Sequence, residues 1–153
     1  MIGAQASSDQ FEKIMSYLKI GKEEGAEVLI GGDAGSVEEY PNGYYVQPTV
    51  FRGHNKMRVF QEEIFGPVLS VLTFSTLDEA VSLANATRYG LAGSVWTKDL
   101  YQANYIAERM QAGTIWINTY GSFFNEVPFG GYKESGLGRE LGKAGLKEYT
   151  ELK

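Results

Sequence analysis

Gln61-Glu62-Glu63-Ile64-Phe65-Gly66-Pro67-Val68 contains a breaker pair, Gly66-Pro67. Pro67 fixes its own φ and pushes Gly66 out of the helical region, so whatever precedes it must stop there. Val68 to Phe74 then reads as a buried strand, and the acidic, aromatic corner sits at its mouth. Loops at strand mouths are where α/β proteins hold ligands, which makes Glu63 and Phe65 the first candidates for ligand contact. The same residues also fit a solvated turn with Phe65 in the core.

Downstream of the corner the pattern decides the fold. Thr76 with Glu79 has capping-box spacing and opens a helix whose apolar face is Leu77, Ala80, Val81 and Ala84. Tyr89-Gly90 closes it, and Leu91 to Trp96 is a second strand. Lys98 to Gln111 is a helix with Leu100, Ala103, Ile106, Ala107 and Met110 inward, stopped by Gly113. Thr114 to Asn118 is a third strand. Strand, helix, strand, helix, strand with short connections implies an α/β fold built on an open parallel βαβαβ sheet with flanking helices. Ligand contacts are then expected past the carboxyl ends of the strands, near Asn118.

Upstream, Ser7 lies three residues before Gln10, again with capping-box spacing. Phe11, Ile14, Met15 and Leu18 recur at helical intervals until Gly21 and Gly25. Glu27 to Ile30 is a short strand candidate leading into the turn Gly31-Gly32-Asp33-Ala34-Gly35. Tyr44 to Val50 reads as a strand that Pro48 confines to an edge or ends early. His54 belongs to a polar loop.

Thr119 to Ser135 is long, irregular and rich in aromatics (Tyr120, Phe123, Phe124, Phe129, Tyr132). Such a loop either lines a site or folds as a lid onto its own sheet. Leu137 to Tyr149 resumes as a helix with Gly142 and Gly145 inside it. Gly136-Leu137-Gly138-Arg139-Glu140-Leu141-Gly142 is not a dinucleotide fingerprint, because its third glycine falls one residue late and no strand precedes it.

Bulk properties exclude several classes of function. The 153 residues suffice for one domain, and the net charge of −5 supplies no basic surface for nucleic acid or an anionic membrane. There is no cysteine, hence no disulfide, no thiolate metal site and no cysteine nucleophile among these residues. One histidine builds neither a zinc site nor a catalytic triad. With no basic segment followed by an apolar one at the N-terminus, a cytoplasmic location is expected.

Four segments together resemble the aldehyde dehydrogenase superfamily in order and spacing. They are Glu62-Glu63-Ile64-Phe65-Gly66-Pro67, Asn85-Ala86-Thr87-Arg88-Tyr89-Gly90-Leu91, Gly113-Thr114-Ile115-Trp116-Ile117-Asn118 and Pro128-Phe129-Gly130-Gly131-Tyr132-Lys133-Glu134-Ser135-Gly136. The resemblance covers residues 1–153, as a single partial catalytic domain from the C-terminal part of the family's polypeptide. It implies that Glu63 bonds the nicotinamide ribose hydroxyls of NAD or NADP and that Phe65 packs by the nicotinamide. A carboxylate suits that task because it accepts from two vicinal hydroxyls at once. Asn118, Phe123 and Phe129 would border the aldehyde path, the two rings forming an apolar or cation-attracting wall weakly like that of betaine aldehyde dehydrogenases.

The resemblance also implies what these residues lack. The family oxidises aldehydes through a cysteine thiolate, transfers hydride to NAD(P)+ and hydrolyses the resulting thioester with a glutamate base. That cysteine, that base and the dinucleotide-binding domain would lie upstream of Met1. The expectation is therefore a fragment without a catalytic residue of its own, inactive alone and binding nucleotide weakly or not at all. The alternative is a non-catalytic, truncated paralogue that docks on full-length subunits or self-associates through uncovered surface.

Overall fold

A computed structural model describes residues 2–151 and 153. They fall into two compact units, Met1–Thr73 and Phe74–Lys153.

The first unit is built on α1 (Ser8–Glu23). The Ser7 side chain accepts from the Gln10 amide at 3.2 Å and starts the helix. Ile14 and Leu18 are fully buried, with Phe11 and Met15 packed beside them, as the helical spacing predicts. They cover a sheet of β1 (Glu27–Ile30), β2 (Thr49–Arg52) and β3 (Val68–Val71), in that spatial order. β1 pairs antiparallel with β2, and β2 pairs parallel with β3. The short helix α2 (Arg58–Gln61) connects the sheet to the acidic corner.

β2 begins later than its β-branched and aromatic run suggests, and it lies in the centre of the sheet. Pro48 sits just before the strand, so its missing N–H removes no rung of the ladder. Val46 makes only an isolated bridge to Ala34. Phe51 and Thr49 are buried in the strand, and the Thr49 hydroxyl is satisfied twice. It accepts from the Gly32 amide and donates to the Gln47 carbonyl, each at 2.9 Å.

In the second unit α3 (Leu77–Asn85) starts at Thr76, whose hydroxyl accepts from the Glu79 amide at 3.1 Å. The Glu79 carboxylate reaches back to the Ser75 amide at 2.7 Å, nearly the reciprocal box expected. Ala84, expected on the apolar face, is exposed. β4 (Tyr89–Gly90) follows, then β5 (Ala92–Val95), α4 (Leu100–Arg109) and β6 (Thr114–Ile117). Asp99 caps α4 by accepting from the Tyr101 and Gln102 amides at 2.8 and 3.2 Å. Leu100, read as inward, is exposed at the first helical position, while Ala103 is buried.

β5 and β6 pair in parallel, Ala92 with Thr114 through Val95 with Ile117, joined by α4 as the strand-helix-strand reading requires. The α/β class stands, but its sheet is divided. β3 finds its parallel neighbour in β2, so the strands expected in one βαβαβ sheet belong to separate small sheets. β7 (Tyr132–Lys133) pairs antiparallel with β4 inside the aromatic loop.

The helix expected over 137–149 shortens to α5 (Gly142–Lys147). Leu141, at φ 63° and ψ 169°, and Gly142, at φ 55°, hold left-handed backbone that no helix can pass through.

Gly113 explains why the chain can place its aromatic loop against β6. A Cβ there would fall on the Gly130 carbonyl oxygen, which is backbone and cannot swing away. Gly113→Ala is expected to cost about 3 kcal/mol of stability, at the upper end of ordinary overpacking. Urea unfolding of the variant beside the parent chain measures it.

Candidate functional site

The acidic corner follows directly from α2. The chain leaves the helix extended at Glu62 and reaches the left-handed region at Phe65, with φ 59°. It then passes Gly66 and enters β3. A non-glycine residue with positive φ carries of the order of 1–3 kcal/mol of strain and persists only where its surroundings impose it.

The adjacent glutamates have opposite fates. Glu62 is tied into the fold. The Tyr17 hydroxyl donates to its Oε2 at 2.7 Å, and Arg58 donates from Nε at 2.8 Å and Nη2 at 2.9 Å in a two-pronged pair. Glu24 accepts from the Arg58 main-chain amide at 2.7 Å and anchors α2 to the end of α1. Glu63 is exposed and makes no hydrogen bond or ion pair with the described residues. Ile64 returns to the core, and the Phe65 ring is 72% exposed. The alternatives of a core Phe65 and an outward Phe65 are thus decided in favour of the second.

The rule that ligands gather past the carboxyl ends of parallel strands does not cover this corner, which lies at the amino end of β3. Its case rests on the unpaired carboxylate, the exposed ring and the strained backbone. The electrostatics set the corner's pH behaviour. The hydrogen bond to Glu62 is the main cause that pushes the Tyr17 phenol above its ordinary value, with burial adding to it and Arg58 opposing. Hydrogen bonding and attraction from the same carboxylate push the Arg58 guanidinium up as well.

Tyr17, Arg58 and Glu24 escaped sequence reasoning, and so did the role of Gln10. Gln10 was legible as half of a capping box, yet its side chain does not turn back to Ser7. Its amide nitrogen donates to the Phe65 carbonyl at 2.7 Å and lies 3.4 Å from that of Ile64. No local pattern signals a bond across 55 residues.

The second unit holds the other candidates. Asn118 ends β6, also left-handed at φ 54°. Its side-chain oxygen accepts from the Thr97 amide and its nitrogen donates to the Thr97 carbonyl, both at 2.9 Å. The amide is therefore committed to clamping the ends of β5 and β6 together, and what it offers a ligand is a fixed turn.

Phe123 and Phe129 do meet. Their rings stand edge to face with centroids 4.9 Å apart, and Phe123 also stands edge to face with Trp116 at 5.5 Å. Tyr120 adds a further contact to Trp116 at 5.1 Å. Trp116 anchors the group: it is buried in β6, and its indole N–H donates to the Ser122 carbonyl at 2.8 Å. Phe123 remains 56% exposed, so the cluster presents an aromatic surface rather than a closed core. An exchange of main-chain bonds between Phe129 and Glu140, both 2.8 Å, holds the loop's far end. Among the described residues no cluster of His, Cys, Asp or Glu is placed to hold a metal ion. Nor is any described helix long and apolar enough to cross a membrane.

Taken together, these features define an α/β protein that presents an unpaired carboxylate beside an exposed aromatic in one unit and a patch of edge-to-face rings in the other. The chain belongs to the aldehyde dehydrogenase family, which it matches over residues 1–153. It is 54% identical to a probable aldehyde dehydrogenase of Streptomyces coelicolor, over 100% of this chain and 30% of that protein. It is 52% identical to the mitochondrial aldehyde dehydrogenase of Equus caballus, over 99% of this chain and 30% of that protein. Among solved structures, a point mutant of betaine aldehyde dehydrogenase from Staphylococcus aureus in complex with NAD+ superposes with a TM-score of 0.94 at 44% identity. That match covers 97% of this chain and 30% of the other. The chain thus spans about 30% of the length of the relatives it matches.

The Tyr17–Glu62 bond has a measurable sign. A phenol whose folded pKa is raised contributes stability below the ordinary tyrosine value of about 10, and loses it as pH climbs through the raised value. Tyr17→Phe should remove that part of the alkaline loss, so the stability difference between parent and variant shrinks above pH ~10. Urea midpoints from pH 8 to 11 test it. Asn118→Ala should cost about 1–2 kcal/mol, because it leaves the Thr97 amide and carbonyl without their partner. Urea unfolding at neutral pH reads that change.

Proposed function

We propose that residues 1–153 form the C-terminal part of the catalytic domain of an NAD(P)-dependent aldehyde dehydrogenase. In this reading Glu63 accepts from the nicotinamide ribose hydroxyls and Phe65 packs by the nicotinamide. Asn118, Phe123 and Phe129 border the path of the aldehyde. The parent reaction converts an aldehyde, NAD(P)+ and water to a carboxylate and NAD(P)H, the nucleotide supplying the hydride acceptor when bound.

The observation that carries this reading is the contrast within Glu62-Glu63. One carboxylate is consumed by Tyr17 and Arg58, while its neighbour is exposed, unpaired and next to an exposed ring. An unpaired carboxylate offers the acceptor pair that vicinal hydroxyls need, and a free aromatic face suits a flat heterocycle. Membership of the family supports the activity, and NAD+ in the Staphylococcus aureus relative supports the cofactor. Aromatic edges and faces at Trp116, Phe123 and Phe129 favour an apolar or cationic aldehyde, and a quaternary ammonium would sit well on them. A cytoplasmic setting without nucleic-acid or membrane partners fits the acidic composition.

These 153 residues include no cysteine, and no other side chain here replaces a thiolate that attacks the aldehyde. The chain by itself is therefore expected to turn nothing over, and, spanning 30% of its relatives' length without the family's dinucleotide-binding domain, to bind nucleotide weakly. A second reading, a docking module that pairs with other subunits or with itself, draws on the exposed Leu137, Leu146 and Tyr149. Light scattering on the eluting protein discriminates: a monomer with no added partner counts against docking.

The purified chain should form no NADH above background when given NAD+ and acetaldehyde, benzaldehyde or betaine aldehyde, followed at 340 nm. Aldehyde-dependent NADH production would overturn the assignment of the nucleophile to residues outside these 153.

A further inference from the structure

Gln10, Ile14 and Tyr17 lie on successive turns of one face of α1, and each meets a different piece of the acidic corner. The Gln10 amide donates to the Phe65 carbonyl at 2.7 Å. Ile14, fully buried, fills the space beside Gly66 so closely that a Cβ there would lie 2.5 Å from its Cδ1. The Tyr17 hydroxyl donates to Glu62 at 2.7 Å. Along this single row the helix fixes the corner's start, its bend and its exit. Glu63 and Phe65 are the side chains the row leaves pointing to solvent.

We infer that α1 is the template of the corner and that Gln10 is the positioning residue for Phe65, holding its main chain left-handed so that the ring stands outward. Glycine would adopt φ 59° without help, but an aromatic residue would not, and the Gln10 bond is the only side-chain bond to its carbonyl among the described residues. Gln10 acts through the Phe65 backbone and needs no contact with a ligand. The consequence for nucleotide binding rests on the proposed role of Phe65, whereas the conformational claim does not.

Substitutions at Gln10 separate the donor from the helix. The bond that starts α1 uses the Gln10 main-chain amide, so changing the side chain leaves the cap to Ser7 in place. Gln10→Glu keeps the shape and loses the donor, and Gln10→Lys keeps a donor of similar reach. The readout is the carbon chemical shifts of Phe65 in the 153-residue chain, which report left-handed backbone, with Ile14, Leu18 and Phe51 signals as the control for folding.

Gln10→Glu should lower the left-handed to extended ratio at Phe65 about fivefold, the factor an ordinary hydrogen bond governs, with the core signals unchanged. Gln10→Lys should restore it. An unchanged left-handed to extended ratio at Phe65 in Gln10→Glu overturns the inference, as does a loss that Gln10→Lys fails to repair. A parallel titration with millimolar nicotinamide mononucleotide tests the site itself. A response at Glu63 and Phe65 that weakens in Gln10→Glu supports the consequence for binding, whereas an equal response in both chains overturns that consequence and leaves the template standing.

Discussion

Ile14 against Gly66 is the contact on which the acidic corner depends. The side chain is completely buried, and the glycine has no room for a Cβ beside it. Interiors packed at crystal density transmit such a constraint instead of absorbing it. The helix therefore sets where the chain may bend, and the bend sets where β3 begins. Pro67 then completes a corner that neither neighbouring element could form alone: its carbonyl accepts from the Thr49 amide at 2.9 Å at the head of β2.

Around that contact the polar groups sort by what the fold asks of them. Glu62 is held by a phenol and a guanidinium, both of which donate to its carboxylate. Exposed ion pairs alone contribute little to stability, so the value of this group lies in geometry. Its partners come from two helices, Tyr17 on α1 and Arg58 on α2, and locking them leaves Glu63 as the unpaired carboxylate of the two. A similar division appears in the second unit. Trp116 is buried and hydrogen-bonded, and it holds Phe123 in place, leaving the exposed rings as surface.

Left-handed backbone recurs where the family resemblance put function. Phe65 and Asn118 are both non-glycine residues at positive φ, and each is stabilised by a side-chain amide bonded to main chain. For Asn118 the amide is its own and grips Thr97. For Phe65 it is borrowed from Gln10. Asparagine tolerates this region far better than phenylalanine does, which explains why the second case needs outside help.

Much of this was legible in the residues themselves. Apolar spacing located α1, α3 and α4, capping pairs marked the starts of α1 and α3, and the run from Leu91 to Asn118 disclosed the parallel β5–α4–β6 unit. These signals are local: they depend on neighbours within a turn or a strand. Pairing is not local. Nothing near Val68 shows that β3 takes β2 as its parallel partner, nor that Pro48 stands just outside a central strand instead of spoiling an edge one. The residues of the corner could be named in advance, Glu63 and Phe65 among them, but the bonds that occupy Glu62 and hold the Phe65 carbonyl could not. Tyr17 supplies the first from 45 residues away and Gln10 the second from 55, and only a folded chain brings them there.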